Sequence, residues 1–101
     1  MKALLIDPAE RRIEPVDVAD RSDIARLVGY DTIATDEVGP DGDTLHFDEE
    51  CFLRGAAGRF RIDSVVPVSG RAVVVGSADG GAALRDVAGD VDSLKARLTY
   101  L

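Results

Sequence analysis

Residues 70–76 read Gly70-Arg71-Ala72-Val73-Val74-Val75-Gly76, and this stretch decides the fold. The four residues 72–75 are all apolar, so the run has no polar face. A strand with this pattern suits the middle of a sheet that is covered on both sides. The sequence therefore predicts a central strand over 72–75, bounded by two glycines.

The first eighteen residues predict a β-hairpin. Lys2 to Ile6 reads as a short buried strand, and the turn dipeptide Asp7-Pro8 ends it. An extended segment follows over 11–18. Because Pro15 cannot donate a ladder hydrogen bond, the second strand is expected at a sheet edge or at a bulge.

Two segments have helix signals. Over 20–28, Asp20 suits the N-cap, Ile24 and Val28 share a face, and Gly29 lies where a left-handed C-terminal residue belongs. The segment 92–98 resembles a second capped helix with its cations late. The chain then ends on an apolar strand or helix tail over 98–101.

The remaining strands are predicted over 31–35, 44–47 and 59–62. The first two are expected to pair around a turn at 39–43, and the third alternates cleanly, with its arginines on the solvent side. Phe52 and Leu53 are expected to return to the core. The segments 55–58 and 76–81 are rich in glycine and predict loops.

The sequence thus predicts an α+β fold. We expect a mostly antiparallel, twisted sheet of about five or six strands with two helices, in one compact domain over 1–101. The length of 101 residues, with 46% hydrophobic and 31% charged residues, suits a single globular unit.

Cysteine, histidine and net charge exclude several classes of function. One cysteine rules out an internal disulfide, and one histidine makes a protein-only zinc site very improbable. The net charge of −7 disfavours binding to nucleic acid phosphates. No signal peptide or membrane span is recognisable, so the expected location is cytoplasmic.

Charge is sorted along the chain. Residues 31–50 hold eight acids and no lysine or arginine, whereas residues 51–75 hold four arginines and one acid. The electric field of charges that are separated in this way steers charged binding partners. The acidic lobe predicts a protein-binding surface at Asp48, Glu49 and Glu50, contacting a host protein or a second copy of the chain.

The arginines allow an alternative, in which the chain holds a nucleotide-like anion. Arg61 and Arg71 would have to converge, and the backbone of the 76–81 segment would help to cradle the anion. That segment has neither a Walker lysine nor dinucleotide glycine spacing, so a plain loop is favoured. The residues proposed for this site are Arg59, Arg61, Arg71, Gly76 and Ser77.

His46 with the acids at 48–50 suggests a third possibility, a metal or acid–base site. No second histidine completes a transition-metal set, and a solvated acidic turn is the favoured interpretation. Cys51 follows two acids, which favours a buried apolar role over a reactive thiolate. No catalytic residue, metal or cofactor is predicted.

Three segments carry a resemblance to a known family. The opening MKALLIDP (1–8), the segment LHFDEE (45–50) and the stretch GRAVVVG (70–76) are similar to a domain-of-unknown-function family of small phage and bacterial mobile-element proteins. The resemblance implies an accessory role and transfers no catalytic residues. Members tend to have glycine after the Asp-Glu-Glu, where this chain has Cys51.

The sequence therefore leaves three functional hypotheses, in order of preference. The first is a non-catalytic interaction protein that binds a host protein, such as a defence protein, through its acidic lobe. The second is a protein that sequesters a nucleotide-like anion. The third is a metal-dependent enzyme.

Overall fold

The structure is a computed structural model that describes residues 1–38, 41–54, 58–63, 67–78 and 83–101. Its elements, in chain order, are β1 (Lys2–Asp7), β2 (Arg12–Asp17), α1 (Arg21–Val28), β3 (Ile33–Glu37), β4 (Asp43–Asp48), a 3-10 turn (Cys51–Leu53), β5 (Arg59–Ile62), β6 (Val68–Ser69), β7 (Ala72–Ala78), β8 (Ala83–Arg85), α2 (Val91–Arg97) and β9 (Leu98–Tyr100).

The strands form two sheets, and every described pair is antiparallel. The large sheet has the order β2-β1-β7-β4-β3, with β8 also paired to β7, and the small sheet has the order β6-β5-β9. The predicted α+β class is confirmed. The small second sheet was not predicted.

Strand β7 is central, as the apolar run predicted. Val74 pairs with Leu4 on one side and with Leu45 on the other. Val73 and Val75 join the apolar cluster that contains the buried residues of α1, whereas Ala72 and Val74 join the cluster of the small sheet and α2. The large sheet is therefore the middle of three layers, which explains why neither face of β7 is polar.

Helix α1 has the predicted boundaries. The Asp20 side chain accepts a hydrogen bond from the amide of Asp23 at 3.1 Å. Gly29 ends the helix in the left-handed region with φ of 97°, and its amide donates to the carbonyl of Ala25. Helix α2 begins at Val91, one residue earlier than predicted, because Asp90 and Ser93 form a capping box.

Two local predictions are wrong. Phe52 and Leu53 do not return to the core but are exposed. Gly76 and Ser77 belong to β7, since this strand continues to Ala78 and pairs with β8. The rest of that predicted loop, at 79–81, and residues 55–57 of the other one lie outside the described residues.

Among the described residues, three strands of the large sheet have a neighbour on one side only: β2 and β3 at the ends of the main strand order, and the short β8, which pairs with β7. The prediction that Pro15 lies on an edge strand is confirmed. Neither α1 nor α2, the helices of the described residues, has the length and apolar character needed to cross a membrane.

Candidate functional site

The acidic lobe is divided between buried and exposed carboxylates. Asp43 and Asp48 are buried, and the other six acids of residues 31–50 are exposed. Five of these six form no ion pair within the described residues, and they surround β3. We call this set the acidic edge: Asp31, Asp36, Glu37, Asp41 and Glu49.

Strand β3 positions the acidic edge. Asp36 and Glu37 lie on β3 itself, and Asp41 lies in the turn that leads to β4. The amide of Glu49 donates to the carbonyl of Thr32 at 2.7 Å, which fixes Glu49 beside the start of the strand. The charges therefore follow one border of the large sheet.

The hydrogen-bond pattern shows which backbone groups of β3 face outward. The amide of Val38 donates to Asp43, and the carbonyl of Thr32 accepts from Glu49, so these positions are hydrogen-bonded pairs of the β3–β4 ladder. Such pairs alternate along an antiparallel ladder. Ala34 and Asp36 therefore bond to β4, whereas Thr35 and Glu37 direct their amide and carbonyl groups away from the sheet.

The opposite edge is different. Met1 and Val18 exchange backbone hydrogen bonds, and hydrogen-bonded pairs alternate along the β1–β2 ladder. The pair of Leu4 and Pro15 is therefore a non-hydrogen-bonded pair, in which the backbone groups of Pro15 point away from β1. At that outward position Pro15 has no amide to donate, which is a common protection of an edge strand. Strand β3 has no proline, and its outward amides are complete.

Asp48 was predicted as part of the partner-binding surface, and the structure contradicts this. Its side chain is only 3% exposed. It accepts hydrogen bonds from the Thr32 hydroxyl, from the Glu50 amide at 3.1 Å and from Arg54 Nε at 3.0 Å. Burial by itself would raise the pKa of Asp48, but these hydrogen bonds and the Arg54 charge lower it overall. Asp48 is a structural anion.

Glu50 remains exposed but is neutralised in part. Its carboxylate lies 3.3 Å from the guanidinium of Arg54, one helical turn further along the chain. Glu49 has no ion pair within the described residues. Of the three acids predicted to bind a partner, Glu49 is thus the one left both exposed and unpaired.

Asp43 is buried because it organises a distant turn. Its two carboxylate oxygens accept from the amides of Ala88 at 2.8 Å and Gly89 at 3.0 Å. These residues precede α2, so Asp43 holds the start of that helix against the large sheet. No local sequence signal identifies such a contact.

His46 lies in the middle layer, 2% exposed, and its Nε2 atom has no hydrogen-bond partner within the described residues. Burial, together with the charge of Arg21, lowers the pKa of His46 to about 4. The described residues contain no group of three or more His, Cys, Asp or Glu side chains that could hold a metal ion.

The arginines predicted to form an anion site do not converge. Arg59 and Arg61 alternate with buried residues on β5, so both lie on the exposed side of the small sheet, and Arg59 stacks over Phe52. Arg71 lies on the opposite side of the large sheet, because its guanidinium reaches Gly29 at the end of α1. Packed sheets are separated by about 10 Å, so Arg61 and Arg71 cannot share one phosphate.

Gly76 and Ser77 are also excluded from a cradle with Arg71. They lie towards the far end of β7, about 16 Å from Arg71 for five residues of extended chain. A side chain at Gly76 would overlap the carbonyl of Asp86 and the side chain of Arg85. The Ser77 hydroxyl donates to the carbonyl of Gly42 and accepts from Thr44. Both positions are occupied by sheet contacts.

Comparison with family models, curated proteins and solved structures finds no match to this chain. The resemblance to a family of phage and mobile-element proteins therefore stays a prediction.

Proposed function

We propose that this chain is a non-catalytic interaction protein that binds a basic, extended segment of a partner protein along β3. In this mode the segment adds to the large sheet as a further strand. Main-chain hydrogen bonds supply part of the affinity, and the acidic edge selects lysine and arginine side chains. If the chain belongs to a phage or mobile element, the partner is a host protein.

One observation carries the proposal: the β2 and β3 edges of the same sheet differ in how they are protected. The β2 edge has a proline at an outward-facing position, while the outward amides of Thr35 and Glu37 on β3 are intact. Edges that serve no purpose are commonly blocked. An unblocked edge beside five unpaired acids favours a binding surface for a cation-rich strand.

The charges of the acidic edge also disfavour two classes of partner. Residues 31–50 contain no lysine or arginine, and the Arg85 and Arg97 guanidinium groups approach only one end of the acidic edge, at the carbonyls of Asp41 and Val38. The excess of negative charge disfavours nucleic acid phosphates and acidic proteins. Acids on an edge strand can serve another purpose, which is to prevent edge-to-edge aggregation. The two roles differ in one respect, because a protective charge does not recruit a basic strand.

The test uses a short peptide of alternating lysine and valine, with an alternating glutamate and valine peptide as its control. We expect the basic peptide to bind, with an affinity that falls as salt is added, and the acidic peptide not to bind. Isothermal titration calorimetry at two salt concentrations measures both. No binding of the basic peptide at low salt would refute the proposal.

A proline substitution separates strand addition from simple charge attraction. Thr35→Pro removes an outward amide but no hydrogen bond to β4, so it copies on β3 the arrangement that Pro15 gives to β2. We expect this variant to fold and to lose most of the peptide affinity. Unchanged affinity would show that the peptide binds the charges and not the edge.

Two charge-neutralised variants, matched in the charge they remove, test whether the acids on β3 attract the peptide. Asp36→Asn with Glu37→Gln is expected to weaken binding and to flatten its salt dependence. The control, Glu10→Gln with Asp17→Asn, removes the same charge from exposed positions near the opposite edge. Equal weakening in both variants would contradict a site on β3. Glu50 is avoided, because changing it also breaks its ion pair with Arg54.

A further inference from the structure

A second candidate site, formed by residues outside the acidic edge, lies at the C-terminal end of α1. A cleft of about 410 Å³ opens there between the end of the helix, the β1–β2 turn and the start of β7. Its volume falls in the range of small-molecule sites. Its charged and aromatic walls are Asp7, Tyr30 and Arg71.

Arg71 and Arg61 differ from most arginines of the described residues, and of these two only Arg71 lines the cleft. Arg12, Arg26, Arg54 and Arg97 have carboxylate partners, Arg11 and Arg59 lie over aromatic rings, and Arg85 donates to a backbone carbonyl. Arg71 is exposed and has no such partner within the described residues. Its donors are available to a ligand.

The backbone of the cleft leaves room for the guanidinium. Gly29 and Gly70, both with positive φ, line it. A Cβ atom at Gly29 would lie 3.4 Å from a terminal nitrogen of Arg71. Tyr30 is 38% exposed, and Arg54 stacks over its ring at 4.3 Å, which restrains the ring beside the cleft.

The cleft also has a negatively charged lining residue. Asp7 lines the cleft without forming an ion pair with Arg71, so the two charges are more than 4.0 Å apart. The end of α1 adds a partial negative charge from its last carbonyl groups. A ligand in this cleft therefore meets both a cation and negative charge.

We propose that the cleft binds a small zwitterion of the amino-acid class. Its carboxylate would accept two hydrogen bonds from Arg71, and its ammonium group would face Asp7 and the C-terminal end of α1. A simple anion is disfavoured by Asp7 and by the net charge of −7. A zwitterion adds no net charge and satisfies both charges.

The experiment measures the melting temperature and, by calorimetry, the Kd with glycine, 4-aminobutyrate and 6-aminohexanoate. Acetate and methylammonium serve as controls that carry one charged end each. We expect stabilisation by at least one of the zwitterions and none by the controls at the same millimolar concentration. The chain length of the zwitterion that binds most tightly reports the distance between Arg71 and Asp7. No shift with any zwitterion would overturn the proposal.

Variants then test the two charged residues. Arg71→Gln and Asp7→Asn should each weaken binding by about tenfold or more, since each removes a charge-assisted hydrogen bond. Arg61→Gln is the matched control, because Arg61 is exposed but lies on the small sheet. If Arg71→Gln lowers the melting temperature of the free protein and leaves the zwitterion response unchanged, Arg71 only stabilises the end of α1 and the site is refuted. Binding of the basic peptide to β3 is a separate readout, so the two proposals fail independently.

Discussion

At the scale of single residues, position in the fold decides what each charge does. Asp48 and Glu49 are neighbours in sequence, yet one is enclosed by three hydrogen-bond donors and the other is exposed. The end of β4 explains the difference, because Asp48 is the last residue of a strand that is buried along nearly its whole length and Glu49 follows the strand. A count of acids cannot separate a structural carboxylate from an accessible one.

Replacement of Asp48 tests its structural role. Asp48→Ala leaves the Thr32 hydroxyl, the Glu50 amide and Arg54 without their acceptor, so we expect a loss of about 2 kcal/mol in the free energy of unfolding. Urea denaturation measures it. The control Glu49→Ala should change the stability by less than about 0.5 kcal/mol. Equal effects of the two substitutions would show that Asp48 is a surface acid.

His46 makes the stability of the folded protein depend on pH over a defined range. Its pKa of about 4 lies below the ordinary 6.5, so the unfolded chain binds a proton that the folded chain refuses. Stability therefore falls as pH decreases from 6.5 towards 4, by about 2 kcal/mol between pH 7 and pH 4.5. Asp48 and Asp90, whose pKa values are lowered from 3.8, contribute their losses only below that range.

The variant His46→Leu cannot take up this proton. We expect it to show a flatter dependence of unfolding free energy on pH between 6.5 and 4.5 than the wild-type chain. Urea titrations at several pH values compare the two slopes. Identical slopes would mean that His46 is accessible to protons in the folded protein.

At the scale of elements, the predictable features are those with local causes. Helix α1 could be read from its cap, its apolar face and its terminal glycine, and β7 from its unbroken apolar run. The exposure of Phe52 and Leu53 could not, because no residue nearby in sequence indicates that the 3-10 turn faces outward. The extension of β7 to Ala78 depends on β8, which pairs with it.

The cap of α1 is a direct test of the local argument. Asp20→Ala removes the acceptor for the Asp23 amide, and we expect a loss of about 1 kcal/mol in the free energy of unfolding. Asp20→Asn, which keeps an acceptor oxygen, is the matched control and should lose much less. If both substitutions are neutral in urea denaturation, the cap does not stabilise the helix.

At the scale of the whole molecule, strand order decides which surfaces exist. The sequence predicted an acidic lobe and a hairpin of two strands, but it did not indicate that β3 would end the large sheet. Strand order depends on pairings between distant segments, such as β1 with β7. The same lack of long-range information explains why the arginines were expected together, although the layers separate Arg61 from Arg71.

The central claim is that the outward backbone groups of β3 bind a partner strand. Amide hydrogen exchange, measured residue by residue with and without the lysine–valine peptide, tests it most directly. We predict that the peptide protects the amides of Thr35 and Glu37 and leaves those of Ala34 and Asp36, already bonded to β4, unchanged. Binding without this alternating protection, or with protection at another surface, would contradict the account.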